Sequence, residues 1–136
     1  MKKKEINITV IGLGYVGLPL AVEFSKKYEV VGFDYNEIRV SELINKFDRT
    51  NELSKDNLLN LKNFKITANE DDIKNSNIYI ITVPTPVDKN NKPNLNHIVS
   101  ASEVVGKYLK KNDIVIYEST VFPGCTEQIC VPILEK

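Results

Sequence analysis

Two patterns of apolar residues alternate along this chain. Short runs rich in β-branched residues predict strands at residues 6–11, 29–34, 64–67, 77–83 and 113–118. Most of these runs are apolar at consecutive positions, which is typical of strands that are buried on both faces of a parallel sheet. Between the runs, apolar residues recur three or four positions apart, which is typical of helices that bury one face.

The helical spacing predicts five helices. The first begins a few residues before Pro19, because proline is tolerated only in an early helical turn. Asn36 can cap the second helix, since its side chain can accept hydrogen bonds from the first backbone amides. Three further helices are predicted: a short one that begins after Ser54, one at about residues 96–110 and one at residues 126–134.

Strands that alternate with helices predict right-handed βαβ crossovers and therefore an α/β fold. We expect a Rossmann-like, doubly wound parallel sheet with the strand order 3-2-1-4-5. The chain stops directly after the last helix, where a doubly wound domain normally adds a sixth strand. The expectation is one domain, residues 1–136, truncated after the helix that follows strand 5.

Length and charge exclude several classes of protein. The chain has 136 residues, with 18 lysines and arginines balanced by 18 aspartates and glutamates. A net charge of zero gives no global electrostatic reason to bind nucleic acid or an anionic membrane. No apolar run approaches the roughly 20 residues that span a bilayer. The basic start at residues 1–4 is not followed by a signal-peptide pattern, so a cytoplasmic location is expected.

The two cysteines, Cys125 and Cys130, lie five positions apart. On a regular α-helix this spacing places them about 140° apart around the axis, so they would share no face. His97 is the only histidine, which leaves too few ligands for a Cys/His zinc site. We therefore expect both cysteines to be packing residues, with no metal site and no disulfide.

The segment Gly12-Leu13-Gly14-Tyr15-Val16-Gly17 has the spacing G-x-G-x-x-G. Alone this pattern is weak, because glycines recur in turns by chance. Here it follows a predicted strand, opens a predicted helix and lies within a βαβ unit. An acid, Asp34, also ends the second strand, 20 positions after Gly14. Together these conditions favour a dinucleotide-binding turn.

Each residue type suits that role. Gly12 permits the tight turn, Gly14 lets a pyrophosphate approach the backbone, and Gly17 lets the helix pack closely on the sheet. Asp34 can accept hydrogen bonds from the adenosine ribose and repel a 2′-phosphate, which favours NAD over NADP. The alternative is a glycine turn followed by an aspartate that caps the next helix. Arg39 can lie over the adenine, pair with Asp34, or be a solvated helix residue.

Two more loops are expected at the same edge of the sheet. Thr85 follows the fourth strand between two prolines, and Thr120 follows the fifth, where it can reach the nicotinamide half of the cofactor. The alternative for both loops is a rigid turn whose hydroxyls make local caps. Glu118 is interpreted as a polar strand-end carboxylate and His97 as a solvated residue at the start of a helix.

With these segments in place, the sequence resembles the N-terminal domain of the UDP-glucose/GDP-mannose dehydrogenase family. The matching segments span nearly the whole chain and keep the family's order; they are residues 10–21, 32–34, 83–86 and 118–127. The Val83-Pro84-Thr85-Pro86 form and the run at residues 117–127 are most similar to the branch that oxidises UDP-N-acetylglucosamine or UDP-N-acetylgalactosamine at C6.

The resemblance implies that the full-length enzyme oxidises the primary alcohol of a UDP-sugar to the uronate in two NAD-dependent hydride transfers. Such enzymes serve surface polysaccharide synthesis. By position, it assigns to NAD the residues Gly12, Tyr15, Val16, Asp34, Arg39, Thr85 and Thr120. The family's nucleophilic cysteine, its sugar-nucleotide domain and its dimerising helix lie beyond the stretch matching residue 136, and Cys125 does not replace that nucleophile. The chain alone is therefore expected to bind NAD and to catalyse nothing, while the full-length enzyme would bind the UDP-sugar and form a homodimer or larger assembly.

Two other functions stay open at this point. One is a non-catalytic NAD-binding module, such as a sensor of the NAD/NADH ratio or an interaction partner. The other is a different Rossmann oxidoreductase, such as a hydroxyacid dehydrogenase, that shares only the cofactor half.

Overall fold

The central feature of the computed structural model, which describes residues 5–136, is a five-stranded sheet. Its strands are β1 (Asn7–Ile11), β2 (Glu29–Phe33), β3 (Phe64–Thr67), β4 (Ile78–Ile81) and β5 (Ile114–Tyr117). They lie in the order β3-β2-β1-β4-β5, and each neighbouring pair is parallel. The predicted α/β fold and strand order are confirmed. The basic start at residues 1–4 lies outside the described residues.

Helices connect the strands at the predicted places. They are α1 (Gly17–Ser25), α2 (Glu37–Ile44), α3 (Lys55–Leu59), α4 (Asn96–Tyr108) and α5 (Val131–Leu134). Asn36 caps α2 as predicted, because its side chain accepts hydrogen bonds from the amides of Ile38 and Arg39. A short 3₁₀ turn, Glu70–Ile73, which joins β3 to β4, was not predicted.

Apolar layers cover both faces of the sheet. On one face, Leu18 and Ala21 of α1 pack in a buried cluster with Val10 and Ile80 of the central strands. On the other face, buried side chains of α4 pack with alternate residues of the same strands; this cluster includes Ile11, Tyr79, Ile81, Ile98, Ala101 and Val105. Because β1 and β4 are covered on both sides, their sequences are apolar at nearly every position.

The two cysteines lie in a helical turn that is not a regular α-helix. Thr126–Cys130 is a π-helical turn, in which the backbone bonds join residues five apart, and it leads directly into α5. The 140° separation of Cys125 and Cys130 therefore does not hold, because it assumed a regular α-helix, and both side chains lie in the same buried cluster. Both are fully buried free thiols, as expected for packing residues. Burial, followed by the neighbouring Cys130, raises the pKa of the Cys125 thiol.

A search of the described residues for membrane-spanning segments found no helix with the length and apolar character that crossing a bilayer requires.

Candidate cofactor site

A cavity of about 640 Å³ opens where the carboxyl ends of the parallel strands meet. In an open doubly wound sheet this is the edge at which ligands bind. All the predicted site residues except Gly17 line it: Gly12, Gly14, Tyr15, Val16, Asp34, Arg39, Thr85 and Thr120. The sheet order thus brings together residues that are up to 108 positions apart in the chain (120 − 12 = 108).

The glycine turn connects β1 to α1 with close backbone contacts. Gly12 has a φ angle of +94°, a conformation that residues with a side chain rarely adopt. A Cβ atom on Gly17 would overlap the carbonyl oxygen of Gly12 and the hydroxyl of Thr82. Gly12 and Gly17 are therefore required by the turn itself, which explains why Gly17 supports the cavity without lining it.

Gly14 has a different environment, because a Cβ atom placed on it would have no described atom within 4 Å. The space beside its Cα atom belongs to the cavity. The N-terminal end of α1 lies next to it, and its N-cap residue, Val16, has no side-chain acceptor for the free amides. A helix N-terminus with free N–H groups attracts an anion. The turn therefore fits a diphosphate at its backbone.

Asp34 holds the turn from the end of β2. Its Oδ2 accepts a hydrogen bond from the Leu13 amide at 2.8 Å, and its Oδ1 accepts one from the Asn36 amide at 2.9 Å. Each carboxylate oxygen has a second acceptor site, so both can still accept from ribose hydroxyls. The side chain that caps α2 is Asn36 and not Asp34, so the alternative that this aspartate caps the helix was wrong, while its predicted contact with a ribose stays a prediction.

Arg39 is neither solvated nor paired with Asp34, so two of the three interpretations from the sequence were wrong. Only 5% of the residue is exposed. Its Nη2 atom lies 2.8 Å from Oδ1 of Asp48, and its Nε donates to the Leu13 carbonyl at 2.8 Å. Neither Nη1 nor Nη2 makes a hydrogen bond of normal geometry among residues 5–136, so the contact of Nη2 with Asp48 is an ion pair. Arg39 still lines the cavity, so the predicted contact with the cofactor stays a prediction.

Asp48, the ion-pair partner of Arg39, was not among the predicted site residues. Its burial would raise the pKa of the carboxyl group. Hydrogen bonds from the Thr50 side chain and the Leu53 amide, together with the neighbouring Arg39, outweigh that effect and hold the pKa below its ordinary value. A signal existed in the sequence, because an aspartate two positions before a threonine in a polar segment is typical of a turn in which the aspartate accepts backbone hydrogen bonds.

Hydrogen bonds connect the loop after β4 to the glycine turn and to the loop after β5. Thr82 donates its hydroxyl proton to the carbonyls of Ile11 and Gly12, at 3.0 and 2.7 Å. Thr85 donates to the Thr120 carbonyl, and Ser119 donates to the Val83 carbonyl at 2.7 Å. The hydroxyls of Thr85 and Ser119 thus join two loops that are 35 and 36 positions apart instead of capping their own turns, and the predicted contacts with the cofactor stay predictions.

The remaining candidate residues lie at the exposed rim. Tyr15 and Val16 line the cavity with 69% and 57% of their surfaces exposed. Glu118 follows the end of β5, and His97 lies in the first turn of α4; both are exposed and line the cavity. These positions agree with the interpretation of Glu118 as a polar strand-end carboxylate and of His97 as a solvated residue at the start of a helix.

The fold and the glycine turn are those of a dinucleotide-binding domain, because the switch in strand order, the glycine backbone and the strand-end acid meet at one cavity. Residues 6–136 match the sequence model of the NAD binding domain of the UDP-glucose/GDP-mannose dehydrogenase family. The chain belongs to that family, and its cofactor is NAD. The resemblance is confirmed, and a Rossmann oxidoreductase of another family is excluded.

Similar proteins carry the same domain within longer chains. The protein is 55% identical to Protein CapL of Staphylococcus aureus over 96% of this chain and 30% of CapL. It is 53% identical to the UDP-N-acetyl-D-glucosamine 6-dehydrogenase of Pseudomonas aeruginosa, over 98% of this chain and 32% of that enzyme. Among solved structures, UDP-D-ManNAc dehydrogenase from Pyrococcus horikoshii superimposes with a TM-score of 0.86 and 33% identity, over 96% of this chain and 32% of that one. The chain thus spans about a third of the length of these relatives.

Proposed function

We propose that this chain supplies the NAD site of a nucleotide-sugar dehydrogenase that oxidises the primary alcohol of a UDP-N-acetylhexosamine to the uronate, for surface polysaccharide synthesis. NAD would supply the hydride acceptor for both oxidation steps. The observation that carries the proposal is the 640 Å³ cavity, which unites the glycine turn, Asp34 and the loops after β4 and β5. The high identity to a UDP-N-acetyl-D-glucosamine 6-dehydrogenase supports the sugar class.

The residues proposed to hold NAD act in three groups. The diphosphate would lie against the glycine turn and the N-terminal end of α1, the adenosine ribose against Asp34, and the nicotinamide half against the loops that carry Thr85 and Thr120. The complete proposed set is Gly12, Gly14, Tyr15, Val16, Gly17, Asp34, Arg39, Thr85 and Thr120. The UDP-sugar and the assembly of a homodimer or larger oligomer would belong to the full-length enzyme. A cytoplasmic location stays a prediction.

The preference for NAD is tested by titrating the chain with NAD and NADP in a calorimeter. We expect NAD to bind more tightly, because a carboxylate at the ribose repels a 2′-phosphate. Asp34→Ala should weaken NAD binding by about 1–3 kcal/mol, the cost of losing charge-assisted hydrogen bonds. Asp88→Ala is the matched control, since Asp88 also accepts two backbone N–H bonds but does not line the cavity. Tighter binding of NADP to the unmodified chain would contradict the role of Asp34.

The 136-residue polypeptide itself is expected to bind NAD without turning over a sugar. Its length is about 30% of the relatives that it matches, so it offers a cofactor site without the remaining two thirds of those enzymes. The measurement is NADH absorbance on mixing the purified chain with NAD and UDP-N-acetylglucosamine or UDP-N-acetylgalactosamine. Sugar-dependent NADH formation above that of the NAD-free control would disprove this expectation.

A further inference from the structure

Asp48 lies outside every cofactor motif of the sequence, in the segment between α2 and α3. Its side chain is only 1% exposed. Oδ1 accepts hydrogen bonds from the amide and hydroxyl of Thr50, at 3.0 and 2.7 Å. Oδ2 accepts from the amides of Glu52 and Leu53, both at 3.0 Å. Four bonds to neighbouring residues fix the carboxylate in position before any contact with the cofactor site is considered.

From this fixed carboxylate, three contacts lead to Asp34 in an unbroken series. Oδ1 of Asp48 lies 2.8 Å from Nη2 of Arg39, and Nε of Arg39 donates to the Leu13 carbonyl at 2.8 Å. The Leu13 amide in turn donates to Oδ2 of Asp34 at 2.8 Å. The hydrogen bond from Nε and the ion pair at Nη2 together hold the guanidinium group between the Leu13 carbonyl and Asp48. The orientation of Arg39 therefore determines where the Leu13 peptide group lies.

The charges explain why the cofactor site needs Asp48. A buried arginine requires a carboxylate, and Leu13 is the only residue between Arg39 and Asp34 in this series of contacts. Asp48 neutralises Arg39 and leaves the Asp34 carboxylate for the ribose hydroxyls. The Nη1 and Nη2 atoms of Arg39 are buried without a hydrogen bond among residues 5–136, so the carboxylate of Asp48 is the group that balances their charge.

We infer that Asp48 is a positioning residue of the NAD site: by pairing with Arg39 it holds the Leu13 peptide group in the glycine turn and keeps the Asp34 carboxylate available to the cofactor. This inference rests on the proposed role of Asp34 in binding the ribose hydroxyls. In the Asp48→Asn variant, the arginine charge has no buried partner and is drawn toward Asp34, so the turn shifts and the acceptors for the ribose are occupied.

The test is a double-mutant cycle on NAD affinity, measured by calorimetry with the 136-residue chain. Asp48→Asn is expected to bind NAD about tenfold more weakly. In the Asp34→Ala background the same change should have a clearly smaller effect, because part of the effect of Asp48 passes through Asp34. Asp88→Asn, which alters a comparable backbone-binding aspartate outside the cavity, should bind NAD like the unmodified chain.

A second readout does not depend on the cofactor. In ¹H–¹⁵N spectra of the ligand-free Asp48→Asn chain, the Leu13 amide resonance should move, since its hydrogen bond to Asp34 changes. Should that variant not fold, Arg39→Lys replaces it: lysine keeps the charge, but its single ammonium group lacks the fork that spans the Asp48 carboxylate and the Leu13 carbonyl. We expect a folded Arg39→Lys chain with the same loss of affinity.

Three results would overturn the inference. They are unchanged NAD affinity in a folded Asp48→Asn or Arg39→Lys chain, additive effects of the Asp48 and Asp34 changes, and a Leu13 resonance that stays in place. Each of these leaves NAD binding by the unmodified chain intact. An unmodified chain that binds no NAD is a distinct outcome, and it would reject the proposed function together with this inference.

Discussion

A Gly17→Ala chain is expected to lose about 3 kcal/mol of stability or more, which is enough to unfold much of a domain of this size. The added Cβ atom would overlap the carbonyl oxygen of Gly12 and the hydroxyl of Thr82, and it would lie 2.9 Å from the carbonyl carbon of Gly12. The main obstruction is backbone, which no change of rotamer can move. Urea unfolding followed by circular dichroism measures the loss directly.

Gly106→Ala is the matched control for this effect, because it makes the same chemical change within a helix. The nearest atom to its Cβ would be the Ile133 carbonyl oxygen at 3.4 Å, which is an ordinary contact. Alanine is favoured over glycine in a helix interior by roughly 1 kcal/mol, so this variant should be as stable as the unmodified chain or more stable. Equal stability of the Gly17→Ala and Gly106→Ala chains would show that α1 does not approach the turn as closely as described.

Gly14→Ala is expected to have the opposite profile, with a stable fold and poor NAD binding. Its Cβ atom would have no described atom within 4 Å, and its φ angle is not positive, so the free protein has room for it. The methyl group would occupy the part of the cavity proposed for the diphosphate. An overpacked contact there costs about 2–3 kcal/mol, which weakens binding by a factor of roughly 30 to 140.

Calorimetry with NAD and unfolding in urea must be measured on the same Gly14→Ala preparation, since the prediction concerns the difference between them. Normal NAD binding by this variant would show that the diphosphate does not lie beside Gly14. A variant that unfolds would mean that Gly14 serves the backbone, as Gly12 and Gly17 do. Only the combination of normal stability and weak binding supports a role in ligand contact.

The arrangement of the sheet was predictable because two simple rules apply to it. Apolar runs separated by helices force parallel crossovers, and a right-handed crossover leaves few possible strand orders. The backbone roles of Gly12 and Gly17 in the turn also followed from spacing. In each case the deciding interactions are local, or they are imposed by the topology, so no knowledge of side-chain packing was required.

The partner of Arg39 could not be predicted in the same way. Asp34 and Asp48 are both close to Arg39 in sequence, at five and nine positions. The choice between them depends on how the segment after α2 folds back, which is a tertiary feature. The relative position of Cys125 and Cys130 was mispredicted for a related reason. The 140° estimate assumed a regular α-helix, and a π-helical turn changes the angle between residues around the axis.

The hydrogen bond between the loops after β4 and β5 has a consequence for the chemistry of the cavity wall. Thr85 has one hydroxyl proton, and it is directed to the Thr120 carbonyl. Toward the cavity, Thr85 can therefore act only as an acceptor. A carboxamide N–H group can donate a hydrogen bond to such an oxygen. A carboxylate in the same place has no proton to donate, so its lone pairs would repel those of the Thr85 hydroxyl. A deamidated dinucleotide would be a poor substitute for NAD wherever its altered group meets this threonine.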